Sequence, residues 1–586
     1  MYILGISCFY HDASATLLKD GKIVAAAQEE RFTRKKHDAS FPEKAIRYCL
    51  ASQNISINDV DSVAFYEKPL LKFERLLSQH LEMFPWSYKT FLFQMPSWFK
   101  EKLRVLKFIK KNLGYKKDVF FVEHHLAHAA SSFFPSPFKR AAIFTIDGVG
   151  EWTTTACGVG ENTDIQLSKE IQFPHSLGLL YSTITAYLGF SVNNSEYKVM
   201  GLAPYGDMNK ETNKYYQKLK QVIELKNDGS YRLDMGYFSY HYANKMPSKK
   251  LSGLLGGEIR KPEEELTQRH KDIAAALQLV TEEVMISILN YLYSVTRCEN
   301  VVLSGGVALN SVANGKLLKN TPFKNIWINP DPGDGGTSIG AALYAHHVIF
   351  GNKKRYLLEN AYLGSEFSKE EIKNFLDGNK IKYSQFKNEW DLVKNVAKLI
   401  YENNVVGWFQ GRMEFGPRAL GARSILSNPC NPEMKEILNT KVKHREKFRP
   451  FAPVVCAEQT SRYFQCDAQT PSITDFMLMV YPIKKKWQKN ILAVTHIDGS
   501  GRLQTIHKKQ NPRYYNLIRE FEKLSKIPIL INTSFNIRGE PIVCAPFDAY
   551  RCMMGTGIDI LVMDTFLIWR KDNMKDIWDS EMYAQD

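Results

Sequence analysis

MYILGISCFYHDASATLLKDGKIVAAAQEE, residues 1–30, decides the fold class. Three short runs rich in β-formers, Tyr2–Ser7, Ala13–Lys19 and Ile23–Gln28, follow one another closely. The last two are joined by Asp20-Gly21, a dipeptide favoured where a tight hairpin needs positive φ. The chain is therefore expected to open as an antiparallel meander. Outward from it come helical patterns near Glu43–Ser52, a strand at Val63–Tyr66, a strand at Val119–Val122, a helix from about Glu123 and a strand at Ala141–Asp147. That alternation predicts an α/β domain built around a sheet. A long amphipathic stretch, Leu266–Thr296, leads to a strand at Val301–Leu303, the turn Ser304-Gly305-Gly306, a strand at Ile326–Ile328 and the turn Asp331-Pro332-Gly333-Asp334-Gly335-Gly336. Glycine turns at strand ends are where α/β proteins place ligands. Near residue 360 the composition changes, and a boundary there gives a first domain at 1–360 and a second at 361–586. In the second, strands at Val405–Phe409 and Ile529–Asn532 flank an arginine-dense segment. No internal repeat or low-complexity tract is visible.

At 586 residues the chain exceeds one hydrophobic core, and its 44% apolar and 24% charged residues are those of a globular protein. A net charge of +15 favours anionic partners, among them phosphorylated small molecules, nucleic acid and anionic membrane surfaces. Phosphorylated substrates suit it best. Nine cysteines stand singly with no C-x-x-C pair, which argues against a disulfide framework or a zinc knuckle. No signal peptide or transmembrane run is visible, so a cytoplasmic location is expected. Within Phe84–Lys117, aromatic residues precede a lysine-rich, helix-like run at Lys100–Lys111. Contact with a membrane or a bulky acceptor competes there with a solvated basic helix over an aromatic mini-core.

In Glu123-His124-His125-Leu126-Ala127-His128, residues four apart share one helix face, so His124 and His128 can grip one cation. Asp147 and Asp334, each at a strand end beside glycine, are the natural further ligands. Taken alone, the histidine pair is equally compatible with a structural role. The turns at Asp147-Gly148-Val149-Gly150, at Ser304–Asn310 and at Asp334 would let backbone N–H groups approach phosphate oxygens. None matches a common nucleotide fingerprint, and each taken singly is equally a tight structural turn.

The strings GISCFYHDASA, EERFTRKKH, EHHLAHAASSF, TIDGVGEW, KVMGLAPYG and SGGVALN stand in the order found in one family, followed by GRMEFGPRALGARSIL, KHREKFRPFAP, AVTHIDGSGRLQT and INTSFNIRGEPIV. The chain resembles the O-carbamoyltransferases of nodulation-factor and antibiotic biosynthesis, nearly end to end. The resemblance implies an N-terminal actin/Hsp70/sugar-kinase-like domain of two lobes, similar to the tRNA threonylcarbamoyl transferase. It also implies a C-terminal α/β domain of the threonylcarbamoyl-adenylate synthase type. It implies that carbamoyl phosphate and ATP, with Mg2+, become carbamoyl-adenylate in the second domain, and that the carbamoyl group then passes to a hydroxyl of a sugar or natural-product acceptor in the first.

On the same basis His11, beside Asp12, aligns with the general base, and His124, His128, Asp147 and Asp334 with ligands of Fe2+ or another divalent metal. Lys36, Gly148, Val149, Gly150, Gly305, Gly306 and Asn310 would bind the nucleotide. Arg418, Arg423, Lys443, Arg445, Arg449 and Arg502 would bind carbamoyl phosphate and ATP, with Asn532, Ser534 and Asn536 orienting them. Acceptor-facing segments include Phe84–Lys117 and Ser239–Gly257. A homodimer is compatible with this reading, and no nucleic-acid partner is expected. Two alternatives stay open at this level. One is a sugar or small-molecule kinase of the same superfamily. The other is a tRNA-modification or hydrogenase-maturation factor, against which the missing zinc-finger cysteine pairs weigh.

Overall fold

Strand β1 (Tyr2–Ser7) is buried on both faces, as a run of Ile3, Leu4 and Ile6 with no polar alternation requires. It pairs antiparallel with β2 (Ser14–Lys19), which turns through Asp20-Gly21 into β3 (Lys22–Gln28). Both turn residues have positive φ, 50° and 82°. On its other side β1 runs parallel to β4 (Ser62–Phe65), and β4 parallel to β5 (Val119–Phe121). The order is thus β3-β2-β1-β4-β5.

The pattern then recurs. Strands β6 (Arg140–Ile146), β7 (Thr153–Glu161) and β8 (Asp164–Gln172) form a second antiparallel meander, and β6 runs parallel to β9 (Asn300–Ser304), which runs parallel to β10 (Asn325–Ile328). The order β8-β7-β6-β9-β10 repeats the first sheet strand for strand. This is the two-lobed arrangement expected of an actin/Hsp70/sugar-kinase-like domain, and it is an internal repeat that the sequence conceals.

Each fifth strand feeds a helix, β5 one that begins at His124 and β10, through the turn at Asp334–Gly336, one that begins at Thr337. Lobe one carries α1 (Glu43–Ala51) between β3 and β4. Between β4 and β5 it carries three further helices, α2 (Pro69–Glu82), α3 (Tyr88–Lys100) and α4 (Val105–Leu113). A short turn at Lys102–Arg104 interrupts what the sequence suggested as one lysine-rich helix. Then come α5 (His124–Phe133), the long α6 (Gln268–Thr296), α7 (Ser311–Asn320) between β9 and β10, and α8 (Thr337–Tyr344). Helices α5 and α8 pack against each other at backbone contact. A Cβ on Gly340 would lie 1.8 Å from the Ala127 carbonyl oxygen, and one on Gly5 would lie 1.9 Å from that of Ser338. Small residues are therefore obligatory along this seam.

The computed structural model describes residues 1–446, 448–466 and 472–576. Lys447, within the KHREKFRPFAP string, lies outside them. The chain divides into two compact units, one of Met1–Glu29 with Ala39–Leu358 and one of Glu30–Asp38 with Glu359–Asp586. The second unit holds one nine-stranded mixed sheet. Its strands are β11 (Ser384–Gln385), β12 (Val406–Phe409), β13 (Arg423–Ser427), β14 (Ala452–Cys456), β15 (Met479–Pro482), β16 (Ser500–Ile506), β17 (Ile529–Ser534), β18 (Ile560–Met563) and β19 (Phe566–Trp569). They lie in the order β11-β19-β18-β12-β13-β17-β14-β16-β15. Helices α9 (Glu389–Tyr401) and α10 (Pro512–Ser525) cover it through Leu392, Val396, Leu517 and Phe521, packed on Trp408 and Leu530.

A first domain of unbroken residues 1–360 therefore needs one correction. Segment Glu30–Asp38 belongs with the second unit, because Arg34 donates to the carbonyls of Pro541 and Ile542 and Arg31 to that of Gly416. Among the described residues, no helix is long and apolar enough to cross a membrane, and all nine cysteines are free thiols.

Candidate active site

His124 is the first residue of α5 and His128 lies one turn on, so both imidazoles project from the same face. Their Nε2 atoms are 3.1 Å apart. Asp147 follows the last residue of β6, and its Oδ2 lies 3.2 Å from His124 Nε2 and 3.8 Å from His128 Nε2. Asp334 opens the turn that leads into α8, with Oδ1 3.6 and 3.5 Å from the same two nitrogens. All four side chains are buried. A tetrahedron of ligands at about 2.1 Å from an ion has edges of about 3.4 Å, so these separations suit one divalent cation. Two imidazoles with two carboxylates suit iron, zinc or manganese.

The surroundings orient the donors. His128 Nδ1 lies 3.2 Å from Ser304 Oγ, whose proton goes to the Pro332 carbonyl, so Nδ1–H donates and Nε2 is the nitrogen turned toward the cluster. Asp147 Oδ1 accepts from the Gly306 N–H at 2.8 Å. Both carboxylate oxygens of Glu151 accept from the His124 N–H, and one of them also accepts from Lys68 N, which anchors the start of α5. Burial works against the charged His128, but hydrogen bonds with Asp147 and Asp334 override it and raise the imidazole to about 9. Burial likewise disfavours ionised Asp147, yet His124 and His128 hold it well below the carboxylate range. His125, between the two, is different. Burial and its histidine neighbours push it down to about 3, and its Nδ1 meets Thr145 Oγ1 at 2.7 Å, away from the cluster.

His11 lies at the edge of this group. Its Nδ1 is 3.0 Å from Asp12 Oδ2 and its Nε2 is 3.7 Å from Asp334 Oδ2. Burial lowers it, but the Asp334 charge and the Asp12 hydrogen bond lift it to about 10.

The glycine turns resolve unequally. Gly148 and Val149 are partly exposed, and a Cβ on Gly148 would meet only Leu179 Cδ2, at 3.9 Å. Gly150 makes room for His124, whose Cβ and Cδ2 would lie 3.0 Å from an added Cβ. Gly305 has φ +94° and lies against the Ile146 carbonyl. Asn310, expected to bind nucleotide, instead caps α7 by accepting from Ala313 N and exchanges hydrogen bonds with Gln278 in the interior.

In the second unit, Arg418, Arg449 and Arg502 are brought together. Burial, then the Arg418 and Arg449 charges, press the Arg502 guanidinium well below its usual range. Lys443 is buried among like charges from Arg445, Arg449 and Lys36, and burial with these neighbours lowers it strongly. Its Nζ donates to the Ser534 and Asn536 carbonyls and to Asn536 Oδ1, while Ser534 Oγ donates to that same Oδ1. Arg445 stacks on Phe451 and donates to Asn439. A buried gathering of cations is a field that an anion relieves.

Three sequence assignments change here. Lys36, placed with the nucleotide site of the first domain, belongs to this cationic group. Arg423 is fully buried over Phe409, with its guanidinium on the carbonyls of Gln410, Gly411, Ala422 and Ser365, so it braces loops rather than binding phosphate. Asn532 is buried between the Ala419 carbonyl and Gln504. Conversely Glu151 and Ser304 were not singled out from sequence, although both lie inside quoted strings, TIDGVGEW and SGGVALN.

Two lobes of one repeated topology around a two-histidine, two-aspartate cluster define an α/β protein of the actin-like class. Carbamoyltransferase N-terminus matches residues 2–343 and Carbamoyltransferase C-terminus residues 397–570. The chain belongs to the carbamoyltransferase family. An uncharacterized protein of Synechocystis sp. is 48% identical over 97% of this chain and 96% of its own length. Nodulation protein NolNO of Sinorhizobium fredii is 35% identical over 97% of this chain and 80% of its own. Among solved structures, a ROK hexokinase from Thermus thermophilus is 13% identical with a TM-score of 0.28, covering 58% of this chain and 98% of the hexokinase.

Proposed function

We propose that this carbamoyltransferase is an O-carbamoyltransferase that turns carbamoyl phosphate, ATP and water into carbamoyl-adenylate, phosphate and pyrophosphate, then transfers the carbamoyl group to an acceptor hydroxyl with release of AMP. The observation that carries this reading is the pairing, in one chain, of the buried cationic group in the second unit with the His11-edged quartet in the first. A carbamoyl carbon is a poor electrophile because its nitrogen donates into the carbonyl, so transfer to a neutral alcohol needs a good leaving group and a base. Arg418, Arg449, Arg502 and Lys443, with Lys36 and Arg445, hold the phosphates of carbamoyl phosphate and ATP. Ser534 and Asn536 fix Lys443 for that role.

In the first unit the open turn at Gly148-Val149 and the N–H groups around Gly305-Gly306 receive the adenylate. His124, His128, Asp147 and Asp334 would hold a divalent metal, Fe2+ by the family resemblance. An ion held there would supply Lewis-acid charge to phosphate oxygens and would offset the carboxylate field that raises His11. Neutral His11 takes the acceptor proton on Nε2 as the new C–O bond forms and the bond to AMP breaks. Asp12 orients that ring through Nδ1. A sugar-containing acceptor is what the family resemblance of the sequence implies.

The test is incubation of the protein with carbamoyl phosphate, ATP and Mg2+ without acceptor, followed by chromatography and mass spectrometry of the nucleotides. Carbamoyl-adenylate, or AMP with pyrophosphate in a carbamoyl-phosphate-dependent manner, is expected. ADP as sole product would overturn the reading in favour of a kinase.

A further inference from the structure

The connection between β4 and β5 is far longer than its counterpart between β9 and β10, which holds a short 3-10 turn at Gly306–Leu309 and α7. Helices α2 to α4 are thus an addition to the repeated lobe, and their surface is unusual. Helix α3 turns Thr90, Met95 and Trp98 inward, where Met95 and Trp98 form a small core with Leu76 on α2. Its outward side also carries large apolar residues, among the exposed Lys89, Ser97 and Lys100. Tyr88, Leu92, Phe93 and Phe99 are 54%, 53%, 74% and 54% exposed, and Phe84 and Trp86, just before the helix, are 68% and 75% exposed. Scattered exposed apolar residues need no explanation, but six large ones between Phe84 and Phe99 do.

Charge surrounds them. Residues 84–117 hold nine basic side chains against one acidic, Glu101, a net +8 out of the chain's +15. In the same insertion Leu103, Arg104, Leu106, Lys107, Lys110 and Lys111 line an open groove of about 650 Å3. Two leucines among four cations suit an anionic headgroup and the start of its acyl chains. Exposed aromatics with an amphipathic cationic body are what an interfacial helix presents to a bilayer.

We infer that the α2–α4 insertion docks this protein on the surface of a bilayer containing anionic phospholipid, with the Phe84–Phe99 aromatics entering the headgroup boundary and the α4 cations engaging lipid phosphates. The insertion is tied to the loop bearing His11. The Phe108 ring on α4 packs 5.8 Å from that of Phe9, and the Lys72 ammonium on α2 lies 5.1 Å from the Tyr10 ring centroid. Docking therefore fixes that loop relative to the bilayer. The inference does not depend on the acceptor or on the adenylate chemistry.

Vesicle co-sedimentation of the full chain tests it, comparing phosphatidylcholine vesicles with vesicles about a third phosphatidylglycerol, at low and high salt. Salt-sensitive binding to the anionic vesicles alone is expected. Lys107→Glu/Lys110→Glu/Lys111→Glu is expected to weaken it on the order of 100-fold or more, and Trp86→Ser/Phe93→Ser on the order of 10-fold. These side chains are all exposed, and unchanged circular dichroism and melting temperature verify folding. Binding that ignores both variants, or no binding at low salt, would overturn the inference. So would a wild-type dimer in sedimentation velocity that becomes monomeric in Trp86→Ser/Phe93→Ser, because the occupant of the face is then a second copy of this chain.

Discussion

His11 and Arg449 divide the proposed reaction between them, and single substitutions separate the halves. His11→Asn keeps a polar group near the position of Nδ1 but loses the basic Nε2, so transfer to acceptor falls by about 100-fold or more while carbamoyl-adenylate still forms. Arg449→Ala removes one guanidinium from the Arg502 group and abolishes adenylate formation itself. Quantifying adenylate and carbamoylated acceptor separately checks both, and equal loss of both half-reactions in both variants would contradict the division. A third residue reports on stability. Burial, with the charges of His346 and Arg355, pushes His347 down to about 4. Its folded value lies below the unfolded one, so the unfolded chain binds more protons between about pH 6.5 and 4. Stability is full above that window and falls as pH drops through it, by about 2–3 kcal/mol from this group. His347→Phe is expected to flatten part of the decline in melting temperature between pH 6.5 and 4.

Among the elements, the α5–α8 seam is the least tolerant. Gly340→Ala drives a methyl group to 1.8 Å from the Ala127 carbonyl oxygen. Backbone on both sides must move, at a cost of about 1–3 kcal/mol or more, and because α5 carries His124 and His128 and the turn into α8 carries Asp334, affinity for a divalent metal is expected to fall with stability. Melting temperature and a metal titration measure the two together. The same elements show what a sequence reveals. The first meander was legible because Asp20-Gly21 announces its turn, and the His124/His128 pair because helical spacing is rigid. The repeat was hidden because the lobes share strand order, not residues. Arg423, Asn532 and Asn310 were misassigned because a polar side chain near glycine turns reads alike whether it faces a phosphate or a buried carbonyl, and only the partners decide. Lys36 was misplaced because nothing local signals that nine residues leave one unit to pack in the other.

At the scale of the molecule, the quartet draws its ligands from both lobes of the first unit: imidazoles from the helix after β5, carboxylates from the end of β6 and the turn after β10. A bound ion therefore cross-links them. Saturation at about 100 times the dissociation constant adds about 2.7 kcal/mol to stability. Chelation is expected to lower the melting temperature, anaerobic Fe2+ or Mn2+ to restore it, and His128→Ala to abolish the response. An unchanged melting temperature on chelation and reloading of wild type would refute a metal at this site.

The repeated lobe also carries a lesson about descent. His124 and Asp334 occupy the same address in their respective halves, at the helix entered from the fifth strand. Two identical half-chains paired across an axis would have to fill both addresses with the same residue, giving four imidazoles or four carboxylates. With both copies on one polypeptide, each address mutates alone, and a mixed donor set becomes accessible that no symmetric pair of either half can present.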